Sequence, residues 1–396
     1  MVKKKLLLIH NKYRDFGGED VAVKNEIQLL EKYFIVEVLN FDNSIKKYLK
    51  QFVAFALNKN AESGRIVSSI IYDFQPDIIY VHNSWFKASI EIFNVILKSN
   101  AKIIIKLHNF RYKCTNSYSL KKHLNEGVYC EACALDASKF KIFNKYFTSS
   151  YIKSILVIRY GKKYYEILKN TKVSILVLTN FHKSYLEKNG FRNIFVHPNY
   201  LDLVISEEND KHSEEDYILY AGRISEEKGV DELIDAFISS NLVNYTLKIV
   251  GEGPILEDLK IKHTNPRIYF IDLLENSKVL SLIENSKAVV TATKLWEGQP
   301  TLLCEASLLG IPSIFPENGG IAEFFPADYK LSFEKNNYID LINKLNLLLD
   351  DNYIEEIGKN NKKFIKSKLN EKNLIQNFSN IINEFTLDFG INGYIQ

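Results

Sequence analysis

Short apolar runs alternate with longer amphipathic stretches along the whole chain. The apolar runs are continuous in Ile, Val and Leu, as is typical of parallel strands buried on both faces. Amphipathic stretches such as Val21–Lys32, Val230–Ser239 and Tyr338–Asp350 predict helices between them. This alternation predicts an α/β protein with two doubly wound, Rossmann-like domains. The predicted strands are Lys5–Ile9, Ile35–Leu39, Asp77–Val81, Lys102–Leu107, Ser154–Ile158, Ser174–Leu178, Tyr217–Ala221, Thr246–Val250, Arg267–Ile271, Ala288–Thr291, Pro312–Phe315 and Lys330–Ser332.

The polar, acid-rich segment Ser206–Asp216 predicts an exposed linker between the two domains. We therefore expect an N-terminal domain over residues 1–203 and a C-terminal domain over residues 204–370. Residues 371–396 are expected to form a separate C-terminal helical segment, and the helical pattern itself runs over Lys359–Phe389. Composition alone does not say which domain that segment packs against.

Composition and charge narrow the choice of protein class. A hydrophobic content of 46% in 396 residues excludes a disordered or collagen-like chain. No run of 18 apolar residues occurs, so the sequence predicts no membrane-spanning helix. The basic start Met1–Lys5 precedes only four apolar residues, which indicates a buried strand rather than a signal peptide. Four cysteines fit a reducing cytoplasm.

The net charge of +3 is the sum of two unlike halves. Residues 1–200 hold 32 Lys and Arg against 16 Asp and Glu, a net charge of +16. Residues 201–396 hold 19 against 32, a net charge of −13. The basic half is therefore expected to face something anionic.

The densest motif is Trp296–Pro312, which follows the strand predicted at Ala288–Thr291. Pro300 suits the first position of a helix, and Gly310 suits the position just past its end. On this interpretation Glu297 lies in the loop at a strand's carboxyl end, and Glu305 lies on the following helix.

The start of that helix is a candidate anion site. The free N–H groups of Thr301 and Leu302 would point away from the helix, where they can bind phosphate. The alternative is an ordinary strand–loop–helix turn with two surface glutamates.

A second motif runs from Ala221 to Gly229. Arg223 follows a strand, and Lys228 lies five residues later, just before a helix. Two cations at a strand–helix junction favour a phosphate ligand. The alternative is a solvated charged loop, because Glu226 and Glu227 lie between them.

Two glycine motifs also follow strands. Gly251-Glu252-Gly253 lets a backbone approach a ligand, but it is also a common tight turn. Gly17-Gly18 follows the first strand without the full G-x-G-x-x-G pattern, so a dinucleotide site is not predicted.

His108 and three cysteines are the remaining candidates. His108 ends the strand Lys102–Leu107, which places it where ligands bind to such sheets, although a lone histidine is more often structural. Cys114, Cys130 and Cys133 could hold a zinc with His123 or His108 as fourth ligand. The alternative is reduced thiols that pack a loop.

Taken together, these motifs resemble glycosyltransferase family 4, the retaining enzymes of GT-B fold, over nearly the whole chain. The E-x7-E element from Glu297 to Glu305, with Ala306 to Pro312 after it, is the strongest part. The segment Ala221 to Gly229 is the next strongest. His108-Asn109-Phe110-Arg111-Tyr112-x-Cys114, with its later C-x-x-C, resembles a subgroup of bacterial polysaccharide biosynthesis.

The resemblance implies a fold and a role for each motif residue. It implies two Rossmann-like domains that face each other across a cleft, with the C-terminal helices crossing back to the N-terminal domain. A nucleotide-sugar donor would bind mainly to the C-terminal domain, where Arg223 and Lys228 would neutralise its diphosphate. The other implied donor contacts are Glu297 for sugar hydroxyls, Glu305 for ribose hydroxyls, Thr301 and Leu302 for phosphate, Gly298 in the same loop, Gly251 and Gly253 near the nucleoside, Gly18 near phosphate and His108 for the transferred sugar.

The sequence departs from the family at Pro300, where many members carry Gly, and one possible phosphate-binding N–H is lost. No D-x-D occurs in the chain, so we expect no metal cofactor, and the two cations would neutralise the diphosphate instead.

The resulting hypothesis is a cytoplasmic retaining transferase that moves a sugar to a glycan or lipid-linked acceptor in cell-surface polysaccharide biosynthesis. The basic N-terminal half would contact anionic headgroups at the inner membrane face. A nucleotide-sugar epimerase or hydrolase of the same fold is one alternative. A basic nucleic-acid-binding protein is another, but no nucleic-acid-binding module is recognisable, and no nucleic-acid partner is expected.

Overall fold

The structure is a computed structural model that describes residues 3–12, 18–42, 48–110, 129–132, 151–203 and 216–388. It divides into two compact units. The first contains Met1–Leu201 and Leu369–Gln396, and the second contains Asp202–Lys368. Each unit is built on one sheet of six parallel strands.

The first sheet has the strand order β2-β1-β3-β4-β5-β6. Its central strands are buried over most of their length and mainly apolar on both faces, as the Ile, Val and Leu runs predict. Its strands are β1 (Lys5–Lys12), β2 (Ile35–Asp42), β3 (Ile78–Val81), β4 (Lys102–Leu107), β5 (Val173–Val177) and β6 (Ile194–Val196). The helices between them are α1 (Gly18–Glu31), α2 (Tyr48–Leu57), α3 (Ala61–Phe74), α4 (Glu91–Ile96), α5 (Tyr151–Leu168) and α6 (Asn180–Lys188).

The second sheet has the order β12-β11-β10-β7-β8-β9. Its strands are β7 (Tyr217–Ala221), β8 (Thr246–Val250), β9 (Ile268–Ile271), β10 (Ala288–Val290), β11 (Ser313–Pro316) and β12 (Ser332–Phe333). Its helices are α7 (Val230–Ser239), α8 (Leu256–Lys262), α9 (Asn276–Glu284), α10 (Thr301–Leu309), α11 (Tyr338–Asn346) and α12 (Asp351–Lys368).

Each sheet has one point where the strand order reverses. In the first sheet the chain leaves β1 for β2 on one side and later returns to β3 on the other. In the second sheet it leaves β7 for β8 and later returns to β10. Open α/β sheets bind ligands outside the carboxyl ends of the strands at such a switch point. The fold therefore predicts that ligands bind at the loops after β1 and β3 in the first sheet and after β7 and β10 in the second.

The last helix, α13 (Glu371–Asp388), packs in the first unit. Phe378 on this helix is fully buried, with its ring 5.8 Å from Phe34 and 5.4 Å from Tyr80, centroid to centroid. The Asn377 amide donates to the backbone carbonyl of Val196 at 3.0 Å. The apolar face of α13 is thus part of the core of the first unit.

The strand predicted at Ser154–Ile158 is wrong, because these residues lie inside α5. The buried positions of this helix, such as Val157, Tyr160, Tyr164 and Leu168, recur at helical spacing. The short run Ile155–Ile158 is equally compatible with a buried strand when it is read alone. The strand β6 was not predicted, and the helix predicted over Tyr338–Asp350 ends at Asn346 and continues as the 3-10 turn Leu347–Leu349.

The linker predicted at Ser206–Asp216 lies, except for Asp216, outside the described residues. Among the helices that the structure describes, none is both long enough and apolar enough to cross a lipid bilayer.

Candidate active site

The loops after β7 and β10 lie side by side at the switch point of the second sheet. Arg223 is exposed in the first loop, and Lys228 ends a 3-10 turn, Glu226–Lys228, just before α7. Gly229 follows with a positive φ of 67°, and an added Cβ would lie 2.1 Å from the carbonyl oxygen of Ala292. Only glycine allows this approach, which brings the turn that carries Lys228 against the loop after β10.

Lys228 and Glu297 form an ion pair between these two loops. The ammonium Nζ lies 2.5 Å from the carboxylate Oε1, and both side chains are partly exposed. The Thr293 hydroxyl also donates to Glu297 Oε1, at 3.2 Å. The side chains to which the family resemblance assigns the diphosphate and the sugar are therefore in direct contact.

The backbone of Glu297 is held by the loop after β11. Gly320 donates its N–H to the Glu297 carbonyl at 2.8 Å, and Gly319 pairs with Glu297 as an isolated β-bridge. The φ of Gly319 is 71°, and an added Cβ would lie 2.6 Å from the same carbonyl oxygen. Backbone contacts therefore fix the position from which the carboxylate projects.

Helix α10 starts beside this loop, at Thr301. Pro300 was predicted at the first helical position but precedes it, as an extended N-cap residue with φ −81° and ψ 91°. The helix starts one residue later because ψ of Pro300 is extended, and the proline ring restricts φ but not ψ. The N–H groups of Thr301 and Leu302 lie in the first turn, where a helix provides no acceptor for them. Gly298 is buried in the loop just before.

Glu305 lies one turn further along α10 and is only 5% exposed. It is therefore not the surface glutamate of the alternative interpretation. Burial raises the pKa of its carboxyl to about 7, although a hydrogen bond from the Asn276 side chain favours the ionised form. Near neutral pH this carboxyl exchanges readily between its charged and neutral forms.

Gly251 and Gly253 have a structural role in the loop after β8. An added Cβ at Gly251 would lie 2.1 Å from the Gly222 carbonyl oxygen, and one at Gly253 would lie 1.9 Å from that of Ile224. Ile224 also donates its N–H to the Glu252 carbonyl at 2.8 Å. Both glycines allow two neighbouring loops to pack backbone against backbone, which requires no ligand.

In the first unit, His108 directly follows β4 and contacts a second histidine. His108 Nε2 lies 3.0 Å from Nδ1 of His82, which directly follows β3, and the two rings stack with centroids 5.3 Å apart. His82 is buried, whereas His108 is partly exposed. Burial lowers the pKa of His82 to about 3 and that of His108 well below its ordinary value, so both rings are neutral at physiological pH.

Beneath these rings lies a buried charged cluster that sequence reasoning missed. Glu26 on α1 accepts from the ammonium of Lys106 at 2.8 Å and from the Tyr80 hydroxyl at 2.7 Å. His197 Nε2 lies 3.6 Å from the same carboxylate. Burial alone would raise the pKa of Glu26, but Lys106 and His197 hold it well below its ordinary value. The cluster is therefore a charge pair enclosed in the core.

His10 and His82 were also missed, although the sequence contained a signal for them. Three buried segments, Leu6–Ile9, Ile78–Val81 and Ile103–Leu107, are apolar except for Lys106, and each is followed directly by a histidine. His10 Nε2 lies 2.9 Å from the Asp20 carboxylate, and both residues are buried. His10, His82 and His108 thus lie at or near the carboxyl ends of β1, β3 and β4.

Gly18 is the first described residue of α1 and is exposed. A Cβ added there would meet no described atom within 4 Å, so packing does not demand glycine at this position. Of the three candidate zinc ligands, Cys130 is buried, and Cys114 and Cys133 lie outside the described residues, as does His123.

Within the part of the chain that the structure describes, Asp231, Asp235 and His263 are close enough to share a metal ion. The Lys262 ammonium, however, donates to both Asp231 carboxylate oxygens at 2.7 Å. His263 Nε2 lies 2.6 Å from Asp231 Oδ1. A metal ion would have to displace Lys262, so this group is better described as an ion-pair network.

The second unit is similar to known proteins. Residues 204–367 match the family model of glycosyl transferases group 1. The amylovoran biosynthesis glycosyltransferase AmsD of Erwinia amylovora is 27% identical over 180 residues, which are 41% of this chain and 49% of AmsD. The capsular polysaccharide biosynthesis glycosyltransferase CapM of Staphylococcus aureus is 28% identical over 175 residues, 42% of this chain and 45% of CapM. The matched stretch thus spans about half the length of these relatives.

Solved structures resemble both units. Sucrose-phosphate synthase from Thermosynechococcus elongatus superposes with a TM-score of 0.71 at 14% identity, over 98% of this chain and all of that one. Anabaena HepE in complex with UDP and glucose gives a TM-score of 0.65 at 14% identity, over 96% of this chain and all of that one. The second unit is therefore similar to the group 1 glycosyl transferases, and the fold of the chain is GT-B.

Proposed function

We propose that the protein is a retaining glycosyltransferase of family 4 that acts in cell-surface polysaccharide biosynthesis. It transfers a sugar from a nucleotide-sugar donor to a glycan or lipid-linked acceptor. The observation that carries this proposal is the Lys228–Glu297 pair at the switch point of the matched unit, beside the start of α10. AmsD and CapM, named for amylovoran and capsular polysaccharide, support the polysaccharide assignment.

The diphosphate of the donor binds to positive charge and to free N–H groups in this proposal. The exposed guanidinium of Arg223 has no ion-pair partner among the described residues, so it can meet a phosphate without first losing one. The first-turn N–H groups of Thr301 and Leu302 add a second set of donors. During transfer the bond from the sugar C1 to the phosphate oxygen breaks, C1 bonds to the oxygen of an acceptor hydroxyl, and the hydroxyl proton passes to the departing diphosphate. Cations at the departing phosphate stabilise its growing charge without a metal.

Glu297 and Glu305 bind hydroxyl groups in this proposal. Glu297 accepts hydrogen bonds from the donor sugar, and Lys228 then divides its ammonium between this carboxylate and the diphosphate. The buried Glu305 accepts from the ribose. His108 contacts the transferred sugar, as the family resemblance implies. The HepE complex with UDP supports a uridine nucleotide as the first donor to test.

A panel of nucleotide sugars tests the proposal when released nucleoside diphosphate is measured with and without a lipid-linked or glycan acceptor, in buffer that contains EDTA. We expect release from one donor that depends on the acceptor and persists in EDTA. The anomeric configuration of the product, measured by NMR, should match that of the donor. Release that ignores the acceptor would indicate a hydrolase, and no release with any donor would refute the transferase.

We also propose that the first unit binds the inner membrane face, because apolar side chains and positive charge share its surface. Val53 and Leu57 on α2 and Ile152 and Ile155 on α5 are between 47% and 69% exposed. The two helices pack through stacked rings of Phe55 and Tyr160, 5.4 Å apart. Arg159, on the same face of α5 one turn beyond Ile155, is exposed. Apolar side chains flanked by cations are typical of interfacial membrane binding.

Sedimentation with vesicles rich in phosphatidylserine or phosphatidylglycerol tests this membrane contact. Wild-type protein should pellet at low salt, and Val53→Ser with Leu57→Ser should pellet less. Ile261→Ser is the matched control, since Ile261 is an exposed apolar residue on α8 of the second unit. Absence of pelleting by the wild-type protein, or equal loss in the control, would refute the membrane contact.

A further inference from the structure

The contact between the rings of His82 and His108 restricts which of their nitrogens carry protons. Both rings are neutral, and a neutral imidazole has one N–H donor and one bare acceptor nitrogen. The 3.0 Å contact joins His82 Nδ1 to His108 Nε2, so one of these two nitrogens carries the shared proton and the other accepts it. Two arrangements of the protons satisfy this contact, and they differ in which of the remaining ring nitrogens carries a proton.

The buried nitrogen of His82 distinguishes the two arrangements. His82 Nε2 is fully enclosed and has no hydrogen-bond partner among the residues that the structure describes. If His108 donated, Nε2 of His82 would have to carry a proton, and a buried N–H would be left without an acceptor. If His82 Nδ1 donates, Nε2 is a bare ring nitrogen. A buried N–H without an acceptor is rarer, and costs more free energy, than a buried ring nitrogen without a donor.

Neighbouring charges do not reverse this preference. The charged groups near His82 are Glu26 and Lys106, which form an ion pair 2.8 Å apart and so largely cancel. The other titratable groups that face it are His10, whose ring centroid lies 6.4 Å away, and His197, whose Nε2 lies 3.6 Å from the Glu26 carboxylate. The His82 ring is held in place by its contact with the Tyr80 ring, at 4.3 Å between centroids, and by its backbone N–H bond to Ile9.

We infer that His82 is a positioning residue that keeps the proton of His108 on Nδ1, so that His108 presents a hydrogen-bond donor to the substrate. Nδ1 of His108 makes no hydrogen bond to any described residue, and its ring is partly exposed. The substrate group that meets His108 must then offer a lone pair, as a sugar hydroxyl oxygen does. The inference rests on the proposed function in one respect, namely that His108 contacts the donor sugar.

Ring-nitrogen NMR of the full chain, labelled with 15N-histidine and free of substrate, tests the proton position directly. The His108 signals are those that disappear in His108→Gln. We expect correlations that place the proton on Nδ1 and leave Nε2 bare. A proton on Nε2 in the wild-type protein would overturn the inference. Because no substrate is present, this result does not depend on whether the protein is a transferase.

Two variants of His82 separate positioning from simple packing. His82→Asn keeps an N–H donor close to the position of Nδ1, whereas His82→Phe keeps a ring of similar size without a donor. We expect Asn to preserve the His108 proton position and the kcat of transfer. We expect Phe to release the proton to Nε2 and to lower kcat about 3- to 10-fold, the loss of one hydrogen bond. Equal behaviour of the two variants would overturn the role of His82, whereas absence of transfer by the wild-type protein would refute only the proposed function.

Discussion

Individual side chains at the candidate site are constrained mainly by burial and by their charged partners. Glu297 and Lys228 are partly exposed and paired, so each can exchange its partner for a ligand at modest cost. Glu305 is buried with an amide as its hydrogen-bond partner, and its protonation therefore responds to small changes. The contact between Lys228 and Glu297 could not be predicted from the sequence, because the two residues are 69 positions apart and meet only through the fold.

The raised pKa of Glu305 predicts that nucleotide binding depends on pH. If the ionised carboxylate accepts the ribose hydroxyls, binding strengthens as pH rises through about 7, because less free energy is spent on deprotonation. Between pH 6 and pH 8 the affinity for the nucleoside diphosphate product should rise about tenfold more in the wild-type protein than in Glu305→Gln. Calorimetry at the two pH values measures this ratio, and the variant corrects for ionisation of the phosphate itself. Equal ratios would exclude Glu305 from the nucleotide site.

His182 on α6 predicts an acid-sensitive first unit. Its ring is buried 4.1 Å from that of Phe110, and neither ring nitrogen has a hydrogen-bond partner among the described residues. Burial lowers the pKa of His182 to about 3, so between pH 6.5 and pH 3 the unfolded chain binds a proton that the folded chain does not. Stability is therefore lost as pH falls through this window, by about 2 kcal/mol at pH 5 for this group.

His182→Phe should remove that acid sensitivity without loss of stability at pH 7. Phenylalanine fills a similar space and leaves no unpaired polar atom. Amide hydrogen exchange of β5 and α6 at pH 7 and pH 5 measures the change in unfolding free energy. An identical pH dependence in the wild-type and variant proteins would show that the ring is not held neutral.

At the scale of elements, the site depends on where strands end and on how closely their loops approach. The sequence pattern predicts most strands to within a few residues, because their apolar runs are long, continuous and flanked by polar residues. It fails at Ser154–Ile158, where four consecutive apolar residues belong to an amphipathic helix. The family resemblance places Gly251 and Gly253 near the nucleoside, and contacts between neighbouring loops require both glycines in any case. Such contacts join segments that are distant in sequence, and no local pattern reports them.

Gly229→Ala is predicted to disturb the second-unit site through the backbone. The left-handed φ of 67° and the contact with the Ala292 carbonyl both oppose a Cβ, so we expect a stability loss of more than about 1 kcal/mol. Displacement of the turn should also separate Lys228 from Glu297 and weaken nucleoside diphosphate binding. Gly18→Ala is the control for stability, since its Cβ meets no described atom within 4 Å. Thermal unfolding compares the two variants, and calorimetry compares Gly229→Ala with the wild-type protein. Unchanged values for Gly229→Ala would contradict the packing argument.

At the scale of the molecule, the chain combines a basic first half with an acidic second half. The α/β class and the two doubly wound domains follow from hydrophobic periodicity, which the whole chain displays. The order of the strands within each sheet does not, because it depends on pairing between segments that are distant in sequence. Lys106 shows what periodicity cannot reveal. It lies in a buried strand, and its partner Glu26 lies 80 residues away on α1. In the acidic second unit, positive charge at Arg223 and Lys228 is local, and the proposed donor site depends on it.

The most direct measurement of the central claim is donor-dependent transfer by Glu297→Gln beside a matched control. Glu257→Gln likewise removes a carboxylate paired with a lysine, here Lys260 at 2.9 Å, but on the exposed surface of α8. With the donor found in the nucleotide-sugar panel, Glu297→Gln should lower kcat/KM about tenfold to a hundredfold, as expected for a lost charged hydrogen bond. Glu257→Gln should leave it unchanged. If Glu297→Gln kept its fold and the wild-type value of kcat/KM, that result would contradict the assignment of the active site to the switch point of the second unit.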